Sequence, residues 1–293
     1  MTIGISVLCD RGSVAVVASD MRSSYPRSAI QPHDWTGKQW DFDVPFPVIA
    51  CVAGTLGICQ PVVDELNNRL RKLPRKASVY CEHIENAIRD ARSRTFRRYA
   101  DWRIRMSYGM TLMEWQRGKV PGGKMNKLIH DEVARFIDGL QFRVELLVAG
   151  FLTNGDILFY KASGKRYIEG SASPGVYVIG TGGRLAMAQL NKRKQSIEYG
   201  LPRTLLHIAE SMDEAQTVED KSVGKPSSFT IAWRDGRVAR INPEAPIFRD
   251  WKAAYKGRES TASLDGSEIA ARQVAAALQE HIVERSNAQN PEG

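Results

Sequence analysis

The sequence predicts an α+β fold: a four-layer αββα sandwich of antiparallel sheets covered by helices, with an extended helical region. Three observations carry that expectation. A β-hairpin opens the chain, a long helical stretch fills its middle, and a second group of strands follows residue 142. Strands and helices thus come in segregated runs, whereas a parallel sheet would need strict βαβ alternation.

Residues 3–9 and 13–19 are β-rich runs separated by Asp10-Arg11-Gly12, in which Asp and Gly supply hairpin-turn geometry. Residues 21–46 carry prolines, serines and aromatics without a period, and PVIACVAG then reads as a buried strand ending at Gly54. Leu56, Val62, Val63, Leu66 and Leu70 recur at helical spacing to about residue 72, before Pro74 interrupts. A second helix is expected over 78 to about 106 or further. Gly109, Gly118 and Pro121-Gly122-Gly123 break the pattern, and 124–138 is again helical. From Phe142 the period changes, and VELLVAGFL, DILFYKA and RYIEG read as three consecutive antiparallel strands. VYVIGTGG is a further strand ending in glycines, helices are expected at 183–194 and 202–216, and SFTIAWRDGRVARI is a hairpin turning at Asp235-Gly236. The main domain is therefore expected over 1–244, with its long helical region at about 76–140. Residues 245–293 read as a C-terminal extension with one helix at 267–285 and a loose polar end, SNAQNPEG.

With 43% hydrophobic residues in 293, the chain can bury a substantial core, which excludes global disorder. The opening TIGISVLC is apolar but short and lacks a preceding basic region, so it fails as a signal peptide or membrane span, and a cytoplasmic protein is expected. Cys9, Cys51, Cys59 and Cys81 have no zinc-ligand spacing and read as reduced thiols. A formal charge of +8 attracts phosphate without specificity. It concentrates in Arg89, Arg92, Arg94, Arg97, Arg98, Arg103 and Arg105, interleaved with Phe96, Tyr99 and Trp102. Arginines with aromatics can bind RNA, but the stretch also suits a solvated helix or a contact with acidic groups on another subunit. No nucleic-acid motif accompanies it, so nucleic acid is not the expected partner.

Thr2 is the candidate nucleophile. Its small side chain permits removal of Met1, which leaves a hydroxyl and a free α-amino group on one residue. Such an amine has a reference pKa of about 7.7–8.0 and can take the hydroxyl proton near neutral pH. Many cytosolic proteins begin Met-Thr without catalytic reason, so the surrounding pattern has to carry the reading.

That pattern consists of TIGISV with the DRG turn, VVASDMR, Lys38 in TGKQW, VIACVAG, ELLVAGF, YVIGTGG and DKSVG, in this order. It resembles the proteasome β-subunit family, and within it the bacterial proteasome-like peptidases such as Anbu, from residue 2 to about 240. The resemblance implies the N-terminal-nucleophile hydrolase fold and a threonine peptidase with Thr2 as nucleophile. Lys38 would lie near its hydroxyl, Asp20 would pair with that lysine, and the Gly54 N–H would form the oxyanion hole. Thr181, Asp220 and Ser222 would support the terminal amine. Asp20 also reads as a strand-end aspartate bonding local amides, Lys38 as a solvated loop lysine, and Asp220 as a turn cap. The resemblance further implies self-assembly into homo-oligomeric rings or spirals, a peptide or unfolded-protein substrate, and activation by methionine removal alone. No GxxxxGK[ST] loop is present, so an ATPase unfoldase would be a separate chain. No cofactor or metal is expected, because the amine, lysine and amide donors supply the chemistry. An amidase acting on a small amide, and a noncatalytic scaffold or RNA-binding protein, remain open as alternatives.

Overall fold

A computed structural model describes residues 3–20, 38–42, 44–73, 79–120, 123–164, 167–218 and 227–241. The hairpin is β1 (Ile3–Cys9) and β2 (Val14–Asp20), followed by a short β3 (Gln39–Asp41) and by β4 (Val48–Gly54). The helices α1 (Leu56–Leu70), α2 (Cys81–Tyr108) and α3 (Leu112–Gln116) come next. A two-residue ribbon, β5 (Lys119–Val120) and β6 (Gly123–Lys124), leads to α4 (Lys127–Gly139). The strands β7 (Val144–Phe151), β8 (Ile157–Ser163), β9 (Tyr167–Gly170) and β10 (Val176–Gly180) precede α5 (Gly183–Lys192) and α6 (Leu201–Val218). A last hairpin pairs β11 (Ser227–Trp233) with β12 (Val238–Ile241).

Apart from the small β5–β6 ribbon, the described strands form two five-stranded antiparallel sheets, ordered β10-β1-β2-β11-β12 and β3-β4-β7-β8-β9. Alternation along each strand divides the apolar side chains between the two faces. On β1, Ile3, Ile5 and Val7 face α5 and α6, with Leu205, Ile208 and Met212 opposite them. Leu8 points the other way and joins Val17, Ile49, Cys51, Leu147, Phe151 and Ile179 between the sheets. The outer face of the second sheet presents Val48, Ala50, Leu146 and Val148 to Val62, Leu66, Ile84 and Ile88 of α1 and α2. Each large aliphatic side chain buried in this way stabilises the fold by roughly 1.5–3 kcal/mol. Among the described residues, no helix is long and apolar enough to cross a membrane.

The DRG turn places Asp10, Arg11 and Gly12 at positive φ, and the Asp10 carboxylate accepts the Leu201 N–H at the start of α6, 3.1 Å away. The turn therefore also caps a distant helix. Three elements lie outside the periodic expectations: β3, the β5–β6 ribbon and the five-residue α3. Thr111 and Glu114 form a reciprocal capping box that starts α3, a T-x-x-E signal that was available in the sequence.

The basic stretch lies on α2, and most of its arginines find acidic partners within the chain. Arg89 pairs with Glu85 at 2.5 Å, Arg105 with Asp101 at 2.8 Å, and Arg94 and Arg98 both reach Glu65 of α1. Arg92 is buried and donates to the Tyr167 and Gly164 carbonyls. The extension expected over 245–293, with its helix at 267–285, lies outside the described residues.

Candidate active site

One end of the sheet pair gathers the predicted residues. Register places Ile3 opposite Gly180, Gly4 opposite Ser19, Asp20 opposite Ser227 and Gly54 opposite Val144. The start of β1 thus shares an end with the finish of β2, β4 and β10 and the beginning of β7 and β11.

Asp20 is fully buried there, and its carboxylate divides its two oxygens between two structural elements. Oδ1 accepts the Ile3 backbone N–H at 2.8 Å, and Oδ2 accepts Lys38 Nζ at 2.9 Å. Lys38 is itself only 6% exposed, so this pair sits out of water. An ammonium here is strongly directional electrostatics, because little solvent screens it. The solvated-lysine reading does not describe Lys38, whereas Asp20, which ends β2, accepts a neighbouring strand's amide as well as the lysine.

Gly54 has φ +134, and a Cβ there would lie 2.0 Å from the Arg143 carbonyl oxygen. Close approach of β7 therefore already requires glycine at this position. The Thr55 N–H donates to Arg143 O at 3.1 Å, so by alternation Gly54 falls in a non-hydrogen-bonded pair and its N–H faces away from β7. It faces the side on which the Val52 N–H meets Lys38 O, 3.1 Å away. Thr181 is exposed and follows Gly180 directly, at the same end. Thr2, Asp220 and Ser222 lie outside the described residues.

Two thiols stand near Lys38. Burial pushes both Cys51 and Cys59 up to about 12, with the Lys38 charge the main opposing influence. Neither supplies a thiolate at neutral pH. Cys51 also explains Gly4, since a Cβ at residue 4 would sit 2.8 Å from its Sγ.

Sequence reasoning passed over two polar residues at this end. Glu145 projects between the sheets, opposite Ala53, and Oε2 accepts the Gly180 N–H at 2.6 Å, tying β7 to β10 across the two sheets. Its signal was a lone charge opening the apolar run ELLVAGF. Gln39, beside Lys38, is buried and bonded to both β2 and β11. It lies in a stretch without periodicity, where no pattern marks it. Among the described residues no group of His, Cys, Asp and Glu is arranged to hold a metal ion.

Two apposed antiparallel sheets, with the first strand opening beside a buried Asp–Lys pair, define a proteasome-like fold. Solved structures of Anbu share it. The Anbu Gly-1 mutant from Hyphomicrobium sp. strain MC1 aligns with TM-score 0.61 and 17% identity, over 88% of this chain and 95% of that one. Anbu from Yersinia bercovieri, described as an ancestral beta-subunit, aligns with TM-score 0.60 and 15% identity, over 89% and 99%. The helical assembly of the Anbu complex from Pseudomonas aeruginosa aligns with TM-score 0.56 and 16% identity, over 90% and 99%. No protein-family model matches the sequence, and no curated protein does either.

Proposed function

We infer that this chain is a cytoplasmic threonine-type N-terminal-nucleophile hydrolase that cleaves peptide bonds, built on the four-layer αββα sandwich of that class. The observation that carries the reading is the buried Asp20 carboxylate. It joins the backbone of Ile3, one peptide bond from Thr2, to the ammonium of Lys38.

After Met1 is removed, the Thr2 amine takes the proton from its own hydroxyl, and Oγ attacks the scissile carbonyl. The Lys38 ammonium favours the developing alkoxide and lowers the proton affinity of the amine, while Asp20 orients the lysine. Negative charge on the carbonyl oxygen is taken by the Gly54 N–H, a kind of donor whose removal typically costs ~100–1,000-fold in rate. The amine then passes its proton to the leaving amine. Water, deprotonated by the same amine, hydrolyses the acyl-enzyme ester and regenerates Thr2. Thr181, Asp220 and Ser222 are the proposed polar supports of the amine. The helical assembly of one Anbu complex supports a homo-oligomeric ring or spiral here too, whose interior would admit peptides and unfolded chains. An ATPase that delivers them would be a separate protein.

Intact-mass analysis before and after an epoxyketone or β-lactone probe tests this, with Thr2→Ala as control. Loss of Met1 and one adduct mapped to Thr2 is the expected result. A Met-free chain that takes no adduct would move the assignment to a noncatalytic scaffold.

A further inference from the structure

We propose that Gln39 is a positioning residue, whose buried amide clamps β3 across the two sheets so that Lys38 meets Asp20. The proposal rests on the nucleophile reading above for its catalytic consequence, but its geometry stands on described residues alone.

Gln39 is 5% exposed, and both ends of its amide are engaged. Nε2 donates to Ser19 Oγ at 3.0 Å and to the Ser228 carbonyl at 2.7 Å, while Oε1 accepts the Thr230 hydroxyl at 2.5 Å. These partners belong to β2 and β11 of the first sheet, whereas Gln39 pairs with Cys51 in the second. Arg240 of β12 adds a bond to the Gln39 carbonyl at 2.9 Å. The arrangement repeats itself one residue over: Ser19 meets Gln39 by side chains, and Asp20 meets Lys38 by side chains.

β3 has only three residues and borders one strand in its sheet, so backbone pairing gives it little hold of its own. A lysine at the end of so short an edge strand has a flexible stem and many alternatives in solvent. The Gln39 amide removes that freedom, because leaving its three partners would strand buried polar groups. Glutamine reaches from β3 to β11, and its amide can donate twice and accept at once, which matches the Ser19, Ser228 and Thr230 set.

The test uses two variants of the full chain. Gln39→Met keeps the length of the side chain and removes its three side-chain hydrogen bonds while the backbone bond from Arg240 stays, whereas Ser19→Ala removes the Ser19–Gln39 bond and leaves Gln39 tied to β11. Two readouts are taken on each: acylation of Lys38 by an amine-reactive ester, followed by mass spectrometry, and the saturation kinetics of the Thr2-directed epoxyketone. Gln39→Met should make Lys38 at least about tenfold more reactive and lower the limiting inactivation rate up to about 100-fold, since an ångström of misplacement carries such a penalty. Its half-saturating probe concentration should stay within about twofold, because probe binding does not use the lysine. Ser19→Ala should shift both readouts in the same direction by a smaller factor.

A purely structural role would lower the denaturation midpoint and leave both readouts of the folded protein unchanged, and that result overturns the proposal. If Gln39→Met does not fold, Ser19→Ala decides by the same criteria. If the wild-type chain takes no probe, the nucleophile reading falls, and the Lys38 acylation rate alone still decides whether Gln39 holds the lysine.

Discussion

The end of the sheet pair and the outer α1–α2 face use the same ingredients, a buried carboxylate and basic side chains, to opposite effect. At the sheet end the Asp20 carboxylate meets Lys38, 0% and 6% exposed, with the Ile3 N–H on its other oxygen and the Ser19–Gln39 bond next to it. On the helices Glu65 is 7% exposed but meets Arg69, Arg94 and Arg98, which are 31%, 53% and 61% exposed. The helix cluster keeps its cations in water, so it loses little hydration and gains little from attraction. The sheet-end pair gives up hydration on both sides and depends on its geometry to compensate. A buried pair is a costly way to stabilise a fold, so this one depends on the fixed geometry at the end of β2.

The largest effect should come from Asp20→Ala. Removing one partner of a buried pair leaves the other uncompensated, and about 3–5 kcal/mol of stability should be lost in urea denaturation, together with Thr2 labelling. The Ile3 N–H would lose its acceptor as well. A loss under about 1 kcal/mol would mean that the sheet end is wet, like the helix cluster, and the contrast would collapse.

A third treatment of charge lies on α6, where His207 is buried with an amide and an aromatic ring as neighbours. Nδ1 lies 2.6 Å from Gln195 Oε1, and the Tyr199 ring packs edge-on. Burial, then the Arg203 and Arg193 charges, lowers His207 from 6.5 to about 4. The sign follows directly: between pH 6.5 and about 4 the unfolded chain binds a proton that the folded chain refuses, so stability falls as pH falls. Roughly 2 kcal/mol should disappear across that window, and His207→Gln should flatten the slope when denaturation midpoints are compared at pH 7 and pH 4.5. An unchanged slope would show that the imidazole is solvated.

Most of this architecture was legible in the sequence, because it rests on periodicity. The hairpin at 3–9 and 13–19, the helix after Gly54, the strand run from 144 and the hairpin at Asp235-Gly236 follow from apolar spacing and turn residues, and the structure has each of them. The α2 helix ends at Tyr108, within the expected span, where Gly109, at φ +65, supplies its left-handed cap. What escaped is held by side chains. β3 is placed by Gln39 and β4, and α3 by a capping box too short to create a hydrophobic stripe. The candidate site divides in the same way. Asp20, Lys38 and Gly54 stood out through ordered motifs, whereas Glu145 and Gln39 matter through partners 35 and 20 or more residues away, a relation that no local pattern records.

The smallest effect tests the comparison from its other side. Burial works against ionisation of Glu65, but the hydrogen bond from Arg69 and the charges of Arg94, Arg69 and Arg98 outweigh it and hold the carboxyl below its ordinary value. Its contribution is therefore present above pH 4.5 and is lost as pH falls through the lowered value. Glu65→Gln at pH 7 should cost only about 1 kcal/mol, because three partly exposed arginines return to water and the amide oxygen still accepts one bond. Attraction between Glu65 and these partly exposed arginines is screened from the arginine side by salt, so the difference between wild type and variant should narrow between roughly 0.05 and 1 M NaCl, where the screening length drops to ~3 Å. A loss above about 3 kcal/mol that ignores salt would place the helix cluster in the same class as Asp20 and Lys38. The distinction between a dry tie and a wet one would then have to be sought in Glu65's own burial, and the α1–α2 face would become a second rigid anchor of the sheet that carries Lys38.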